Sequence, residues 1–214
     1  MRRIVGKRVV EADLAALRDG FPDVLLDVGT GDGKHALHVA RQRPDWLVVG
    51  LDANRDNLAR TARLAAGKKG QPNVVYAWAA AETLPPALRD VAEIHVLMPW
   101  GSLLRGLLGI DDTILRNLAT AARDGARLLV TLNLHAWRPP VPEVGDTPEP
   151  TPAWVRDVLA QSYARTGWTI DEAHYADDAE IAALATAWSQ RLRSSRGRFD
   201  VLTITGSRTV TVRS

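Results

Sequence analysis

The segment Asp27-Val28-Gly29-Thr30-Gly31-Asp32-Gly33 joins a β-branched apolar run, Val24–Val28, to a helical pattern that begins near residue 34. Three alternating glycines allow positive φ and a close backbone approach, so a ligand can lie against the loop and the N-terminus of the following helix. Asp52 closes a second apolar run 19 residues after Gly33, at the place where a carboxylate can accept from ribose hydroxyls. Two cofactors suit such a loop. A dinucleotide fingerprint, G-x-G-x-x-G, would set its third glycine one residue beyond Gly33, and a pyrophosphate would be repelled by Asp27 and Asp32. The variant with an acid ahead of the first glycine suits S-adenosylmethionine (SAM), whose α-ammonium can pair with Asp27.

Two further segments have chemistry to offer. Ala79-Ala80-Ala81-Glu82-Thr83-Leu84-Pro85 follows a third apolar run, and its small residues and acid can border an adenine ring. A fourth run ends in Leu97-Met98-Pro99-Trp100-Gly101-Ser102, where the transferable group is expected. Methylation of an exocyclic amine calls for an Asn or Asp acceptor there, and none is present. An endocyclic nitrogen such as adenine N1 already has an in-plane lone pair and needs positioning rather than a base. Trp100 offers a stacking platform, and Trp188 lies just before Arg193, Arg196 and Arg198. A flipped base held between two indoles would recover its lost stacking. Trp46, Trp78 and Trp168 read as core. With no cysteine in the chain, covalent C5 methylation of pyrimidines, disulfides and thiolate metal sites are excluded, and the five histidines show no ligand spacing, so no metal is expected.

These groups need a scaffold. Short strand-like runs at Val24–Val28, Leu47–Leu51, Asn73–Ala77, Glu93–Met98 and Arg127–Leu132 alternate with helical patterns at 34–43, 54–66, 85–90 and 111–122, the mark of an α/β protein with a parallel sheet. Six of the twelve prolines fall within residues 138–152, which predicts a long, stiff surface connection. A helix near 153–165, a strand over Trp168–Tyr175, a helix near 178–192 and a closing pair, Phe199–Ile204 and Thr209–Val212, complete the chain. Ile4–Val10 reads as a β-hairpin turning at Gly6-Lys7, placed before the sheet proper. The expectation is one domain over residues 1–214, with a hairpin extension at 1–12 and an inserted loop and helix at 136–165.

The charge is uneven. Of 27 cations 23 are Arg, and the formal net charge is only +2. Residues 1–10 hold Arg2, Arg3, Lys7 and Arg8 with no acid, and residues 191–214 hold six Arg against Asp200 alone, so the stretch between is acidic. Basic ends on an acidic body suit docking on a polyanion. No stretch is apolar for the roughly 20 residues a membrane helix needs, and the start returns to charge too soon for a signal peptide, so a cytoplasmic protein without membrane association is expected.

In Met1–Val9, Leu25–His35, Ala80–Pro85, His95–Gly106, Asn133–Pro150 and Trp188–Leu202 the chain resembles, essentially end to end, the 16S rRNA adenine-1408 N1-methyltransferases that confer kanamycin and apramycin resistance. The resemblance implies a class I, Rossmann-like SAM-dependent methyltransferase fold, with a seven-stranded, mostly parallel sheet and an N-terminal β-hairpin. It implies a monomer acting on 16S rRNA in the assembled 30S ribosomal subunit, with S-adenosyl-L-homocysteine as product. Carried over by position, cofactor contacts fall on Asp27, Gly29, Thr30, Gly31, Gly33, Asp52, Ala81, Glu82, Leu97 and Ser102. The base-sandwiching pair falls on Trp100 and Trp188, and rRNA-docking cations on Lys7, Lys68, Lys69, Arg191, Arg196 and Arg198. Gln190 departs from relatives in which a lysine stands there. The residues by themselves leave open a methyltransferase for a nitrogen of another RNA, such as tRNA, and a non-catalytic cofactor- and RNA-binding protein.

Overall fold

The computed structural model describes residues 1–6, 8–67, 70–184 and 201–209. Its frame is a sheet whose central strands are mostly buried and apolar: β3 (Asp23–Val28), β4 (Trp46–Asp52), β5 (Val74–Trp78), β6 (Val91–Leu97) and, after an exposed polar start, the longer β7 (Ala122–Asn133). Strands covered on both faces need apolar side chains at most positions, which is why these runs do not alternate. Within β3, Val24, Leu26 and Val28 face one apolar cluster and Leu25 the other. On the Leu25 side pack α2 (Lys34–Gln42) and α3 (Arg55–Ala65), through Ala36, Leu37, Val39, Leu58 and Ala62. On the opposite side pack α1 (Leu14–Arg18), α4 (Gly101–Leu107) and α5 (Thr113–Ala121), through Leu14, Leu104, Leu107, Ile114, Leu115 and Leu118.

Among the described residues the sheet has nine strands, where the resemblance implies seven and a separate hairpin. The added pair is the hairpin: β1 (Arg2–Val5) and β2 (Arg8–Glu11) are antiparallel, and β1 also pairs with β5 through Arg3 opposite Ala77 and Ile4 opposite Tyr76. The hairpin therefore lies in the sheet rather than before it. Its docking satisfies the otherwise open edge of β5 and buries Ile4. The order is β2-β1-β5-β4-β3-β6-β7-β9-β8, with β8 (Trp168–Tyr175) and β9 (Val201–Arg208) closing the far side. The pairs among β3 to β7 are parallel, and β9 runs antiparallel to β7 and β8. Chain order reverses at β3, flanked by β4 and β6, so a crevice opens beyond the carboxyl ends of these strands.

Other expectations shift in detail. Residues 85–90 form no helix: a 3-10 turn over Ala81–Thr83 is followed by extended Leu84 and a turn closed by Leu88 N–H on the Pro85 carbonyl at 2.9 Å. A residue before proline is driven out of the helical region, and Pro86 removes a further donor. α4 begins at Gly101, directly after Trp100. The helix expected near 153–165 is continuous in its path but mixed in pitch, with Pro152–Trp154 (α6), a π turn over Val155–Leu159 and Ala160–Arg165 (α7). Of the helix expected near 178–192, α8 (Asp178–Ala183) is described, and the rest lies outside the described residues. Trp168 is core, its indole N–H donating to the Leu115 carbonyl at 3.1 Å. Trp46 and Trp78 are only half-buried at strand ends, where the guanidiniums of Arg43 and Arg2 lie 4.9 and 4.2 Å from their ring centres.

Candidate cofactor and base site

The glycine loop leaves β3 in a shape few side chains permit. Gly29 and Gly31 have φ of 69° and 58°, and a Cβ on Gly29 would fall 2.6 Å from Leu103 Cδ2. The N–H groups of Gly29 and Thr30 donate to the Leu51 carbonyl at 2.8 and 3.0 Å, and that of Gly31 to Asp52 Oδ2 at 2.8 Å, so the loop is tied to the end of β4. Asp27, 1% exposed, lies beneath the loop and accepts from the Thr30 hydroxyl. Asp52 also accepts from the Asn54 N–H at 2.7 Å. Burial pushes its carboxyl above the usual range, with the Asp27 charge adding to this, against the two N–H bonds.

The opposite wall comes from the turn after β5 and the end of β6. Ala81 and Glu82 are held by Asn117 of α5, whose amide donates to their carbonyls at 3.0 and 2.7 Å. Nothing in the local sequence marks Asn117 as part of this wall, since it is a helix residue 35 positions from Glu82. Beyond Leu97, Met98 adopts φ 50° and its N–H donates to the Thr131 carbonyl at 2.8 Å. This left-handed residue turns the chain abruptly so that Pro99 is buried and Trp100, 37% exposed, stands at the rim.

Together these elements enclose a cleft of about 470 Å³, a volume suited to a small ligand. Asp27, Gly29, Thr30, Gly31, Asp52, Ala81, Glu82, Leu97 and Ser102 line it, as does Trp100. Gly33 stands behind it. At φ 73° it caps α2, its carbonyl accepts from the Tyr76 hydroxyl at 2.8 Å, and a Cβ there would meet the Tyr76 ring at 2.5 Å. Trp188, Lys7, Lys68, Lys69, Arg191, Arg196 and Arg198 lie outside the described residues. Sequence reasoning missed Asn117, Leu103 and His35, the last of which also lines the cleft.

Among the described residues the lining holds four acids, Asp27, Asp32, Asp52 and Glu82, and no Lys or Arg. An unbalanced acidic cleft repels a pyrophosphate and favours a nucleoside that carries positive charge, as the sulfonium and ammonium of SAM do. The acceptors match the rest of that molecule, with Asp52 at the strand end where ribose hydroxyls lie and Ala81 and Glu82 placed to border adenine.

An α/β sheet with an acid-flanked glycine loop at its switch point defines a SAM-dependent methyltransferase. The NpmA family model, described as 16S rRNA (adenine(1408)-N(1))-methyltransferase, matches residues 2–207. A protein of that description from Streptoalloteichus hindustanus is 56% identical over 212 residues, spanning 96% of this chain and 98% of its own. The crystal structure of the 16S rRNA methyltransferase KamB superposes with a TM-score of 0.94 at 54% identity, covering 98% of this chain and 100% of its own. A variant of the Catenulisporales acidiphilia 16S rRNA (adenine(1408)-N(1))-methyltransferase, solved with its cosubstrate SAM, gives a TM-score of 0.88 at 32% identity, covering 100% of this chain and 99% of its own. The chain belongs to the 16S rRNA (adenine(1408)-N(1))-methyltransferase family.

Proposed function

We propose that this protein methylates N1 of adenine-1408 in the decoding site of 16S rRNA, within the assembled 30S subunit, and thereby confers resistance to kanamycin and apramycin. SAM bound in the acidic cleft supplies an electrophilic methyl group. Asp27 pairs with its ammonium, Asp52 with its ribose, and Glu82, Ala81, Leu97 and Ser102 border its adenine and methyl ends. Gly29, Thr30 and Gly31 let the loop backbone come close to it, while Gly33 supports the loop from behind.

The observation that carries this reading is Trp100 at the cleft rim on a left-handed turn, with Pro99 buried and no Asn or Asp on the segment 97–102. Such a site positions a base without taking a proton from it. Adenine N1 already presents its lone pair, so stacking and exclusion of water are what the reaction asks of the protein. Trp100 and Trp188 hold the flipped base between them, and Lys7, Lys68, Lys69, Arg191, Arg196 and Arg198 engage rRNA phosphates. The product base is cationic near neutral pH and has lost its pairing edge, so drugs that bond to that edge bind less well. The protein works as a monomer in the cytoplasm.

The test is transfer of labelled methyl from SAM to unmodified 30S subunits, followed by reverse transcription across the decoding site. A stop at adenine-1408 is expected, weakened by roughly 10- to 100-fold in Trp100→Ala, as loss of one stacking face implies. Transfer to tRNA but not to 30S subunits would overturn the substrate assignment.

A further inference from the structure

Behind the cleft runs a line of buried polar groups that methyl transfer does not call upon. His35, in the first turn of α2, is hydrogen-bonded through Nδ1 to the Leu184 carbonyl at the end of α8. Its Nε2 lies 3.0 Å from His95 Nδ1 on β6, and His95 Nε2 lies 2.8 Å from Glu93 Oε1. Glu93 also accepts from Arg43 at 2.8 Å and Arg127 at 2.7 Å. His35, His95 and Glu93 are each no more than 6% exposed.

The hydrogens on this line can be counted. A carbonyl only accepts, so His35 Nδ1 carries a hydrogen. A second lies between the imidazoles and a third between His95 and Glu93. Two neutral imidazoles hold two hydrogens, so the line holds one additional proton. Burial alone would raise the Glu93 carboxyl, but the bonds from His95 and Arg43 outweigh it and hold Glu93 well below the usual range. Burial lowers His35, with Asp27 of β3 and the bond to the Leu184 carbonyl acting against this and His95 of β6 and His38 of α2 with it. The additional proton is thus one that the line of hydrogen bonds itself requires, beside the Glu93 carboxylate that Arg43 and Arg127 flank.

We propose that His35 is a positioning residue that fastens the end of α8 to the floor of the cleft, and that His95 and Glu93 make this fastening depend on a proton. Leu184 also packs with Leu97 and Met98 in a small apolar cluster at the end of β6, so the fastened point abuts the wall that presents Trp100. Trp188 follows Leu184 by four residues in the sequence. The functional part of the inference rests on the reading of Trp188 as the second base platform. If the additional proton leaves, one hydrogen bond of the line must be lost. The carboxylate is the stronger acceptor and keeps its hydrogen. His95 Nδ1, made more basic by the carboxylate on the far nitrogen of its ring, is in turn a stronger acceptor than an amide carbonyl, so the His35 hydrogen turns to Nε2 and the Nδ1 lone pair faces the Leu184 carbonyl. Raising pH thus loosens α8.

The experiment compares His35→Leu, which removes the donor, with His35→Asn, whose amide can reach the same carbonyl. Protection factors of the α8 amides, read by hydrogen exchange in the free protein at about pH 6 and about pH 9, divide out the intrinsic pH dependence of exchange and span imidazole titration. His35→Leu should lower α8 protection about tenfold, as loss of one buried hydrogen bond implies, and lower kcat on 30S subunits by a similar factor. His35→Asn should restore both to within about threefold, and its α8 protection should not change with pH, whereas that of the wild type falls on alkalinisation. Unchanged protection in His35→Leu, or failure of Asn to rescue, would overturn the fastening, and pH-independent wild-type protection would overturn the proton coupling. Should the wild type transfer nothing to 30S subunits while the exchange pattern holds, the functional assignment fails and the fastening stands.

Discussion

Asp27 and Asp52 end neighbouring parallel strands on the same cleft, yet their surroundings differ. Asp27 is almost wholly buried and its bond is to a side chain, the hydroxyl of Thr30. Asp52 is half-buried, and its bonds are to backbone N–H groups of Gly31 and Asn54. Asp27 is thus fixed in position with little water to compete for it. Asp52 is strained electrostatically: burial and the Asp27 charge push its carboxyl upward. One cation bound near Asp27 relieves both acids, whereas a neutral hydroxyl at Asp52 relieves neither. The two ends of the cofactor should therefore be bound with unequal strength.

The largest effect follows from the buried acid. Asp27→Asn should weaken SAM binding about 100-fold, since hydrogen bonds to charged groups contribute about 1.5–3 kcal/mol and burial favours the upper end. Titration calorimetry with SAM reads this directly. A greater loss in Asp52→Asn than in Asp27→Asn would reverse the ranking of the two sites.

The loop between the two acids should matter to stability before it matters to binding. Gly33→Ala meets both a left-handed φ of 73° and a ring carbon 2.5 Å away. Strain and overpacking together should cost about 2 kcal/mol, a fall of about 4–8 °C in thermal midpoint for a chain of this size. A variant that melts with the wild type would mean that Tyr76 moves aside freely, and that the loop is not rigidly braced.

Asp52→Asn comes next, with an expected loss of about tenfold in SAM affinity. Its pH signature is more distinctive. Binding to ribose hydroxyls uses the carboxylate, so SAM affinity should weaken as pH falls through the raised value of Asp52, above the ordinary carboxylate range. Stability of the free protein should move the other way. A carboxyl raised in the folded state binds its proton more tightly there than in the unfolded chain, so acidification through that value stabilises the fold. Asp52→Asn should remove both slopes. Parallel slopes in the wild type would show that another group governs binding.

How far the sequence goes toward this site depends on where the information lies. The cleft's loop and strand ends are local: Gly29, Gly31, Asp27 and Asp52 each announce themselves through a turn or a strand terminus. Groups brought in by packing do not. Asn117 reaches Glu82, and His35 reaches His95 across 60 residues, only because the sheet places their elements together. α4 was obscured by its own composition. Gly101 and Gly106 lower helix propensity, yet Gly106 is needed because a Cβ there would lie 2.8 Å from Ile114 of α5. The hairpin is readable as a hairpin, but its place in the sheet depends on β5 offering a free edge, which no local pattern states. Trp46 and Trp78 look apolar enough for a core, but they lie at strand ends beside arginines.

The smallest expected effect separates two ways in which Asp27 can be used. Thr30→Val keeps the shape of the side chain and removes the hydroxyl that donates to Asp27. If the hydroxyl orients the carboxylate toward the cofactor's ammonium, its loss should weaken SAM binding about threefold, the lower range for one hydrogen bond. If the hydroxyl instead occupies an oxygen that the ammonium needs, its removal frees an acceptor and binding tightens. Orientation is favoured because the Thr30 hydroxyl holds one oxygen of Asp27 under the loop, and a carboxylate has a second oxygen with which to face the cleft. Titration calorimetry on Thr30→Val therefore yields a sign as well as a size, and a tighter complex would mean that Asp27 is shared between loop and ligand rather than aimed by one at the other.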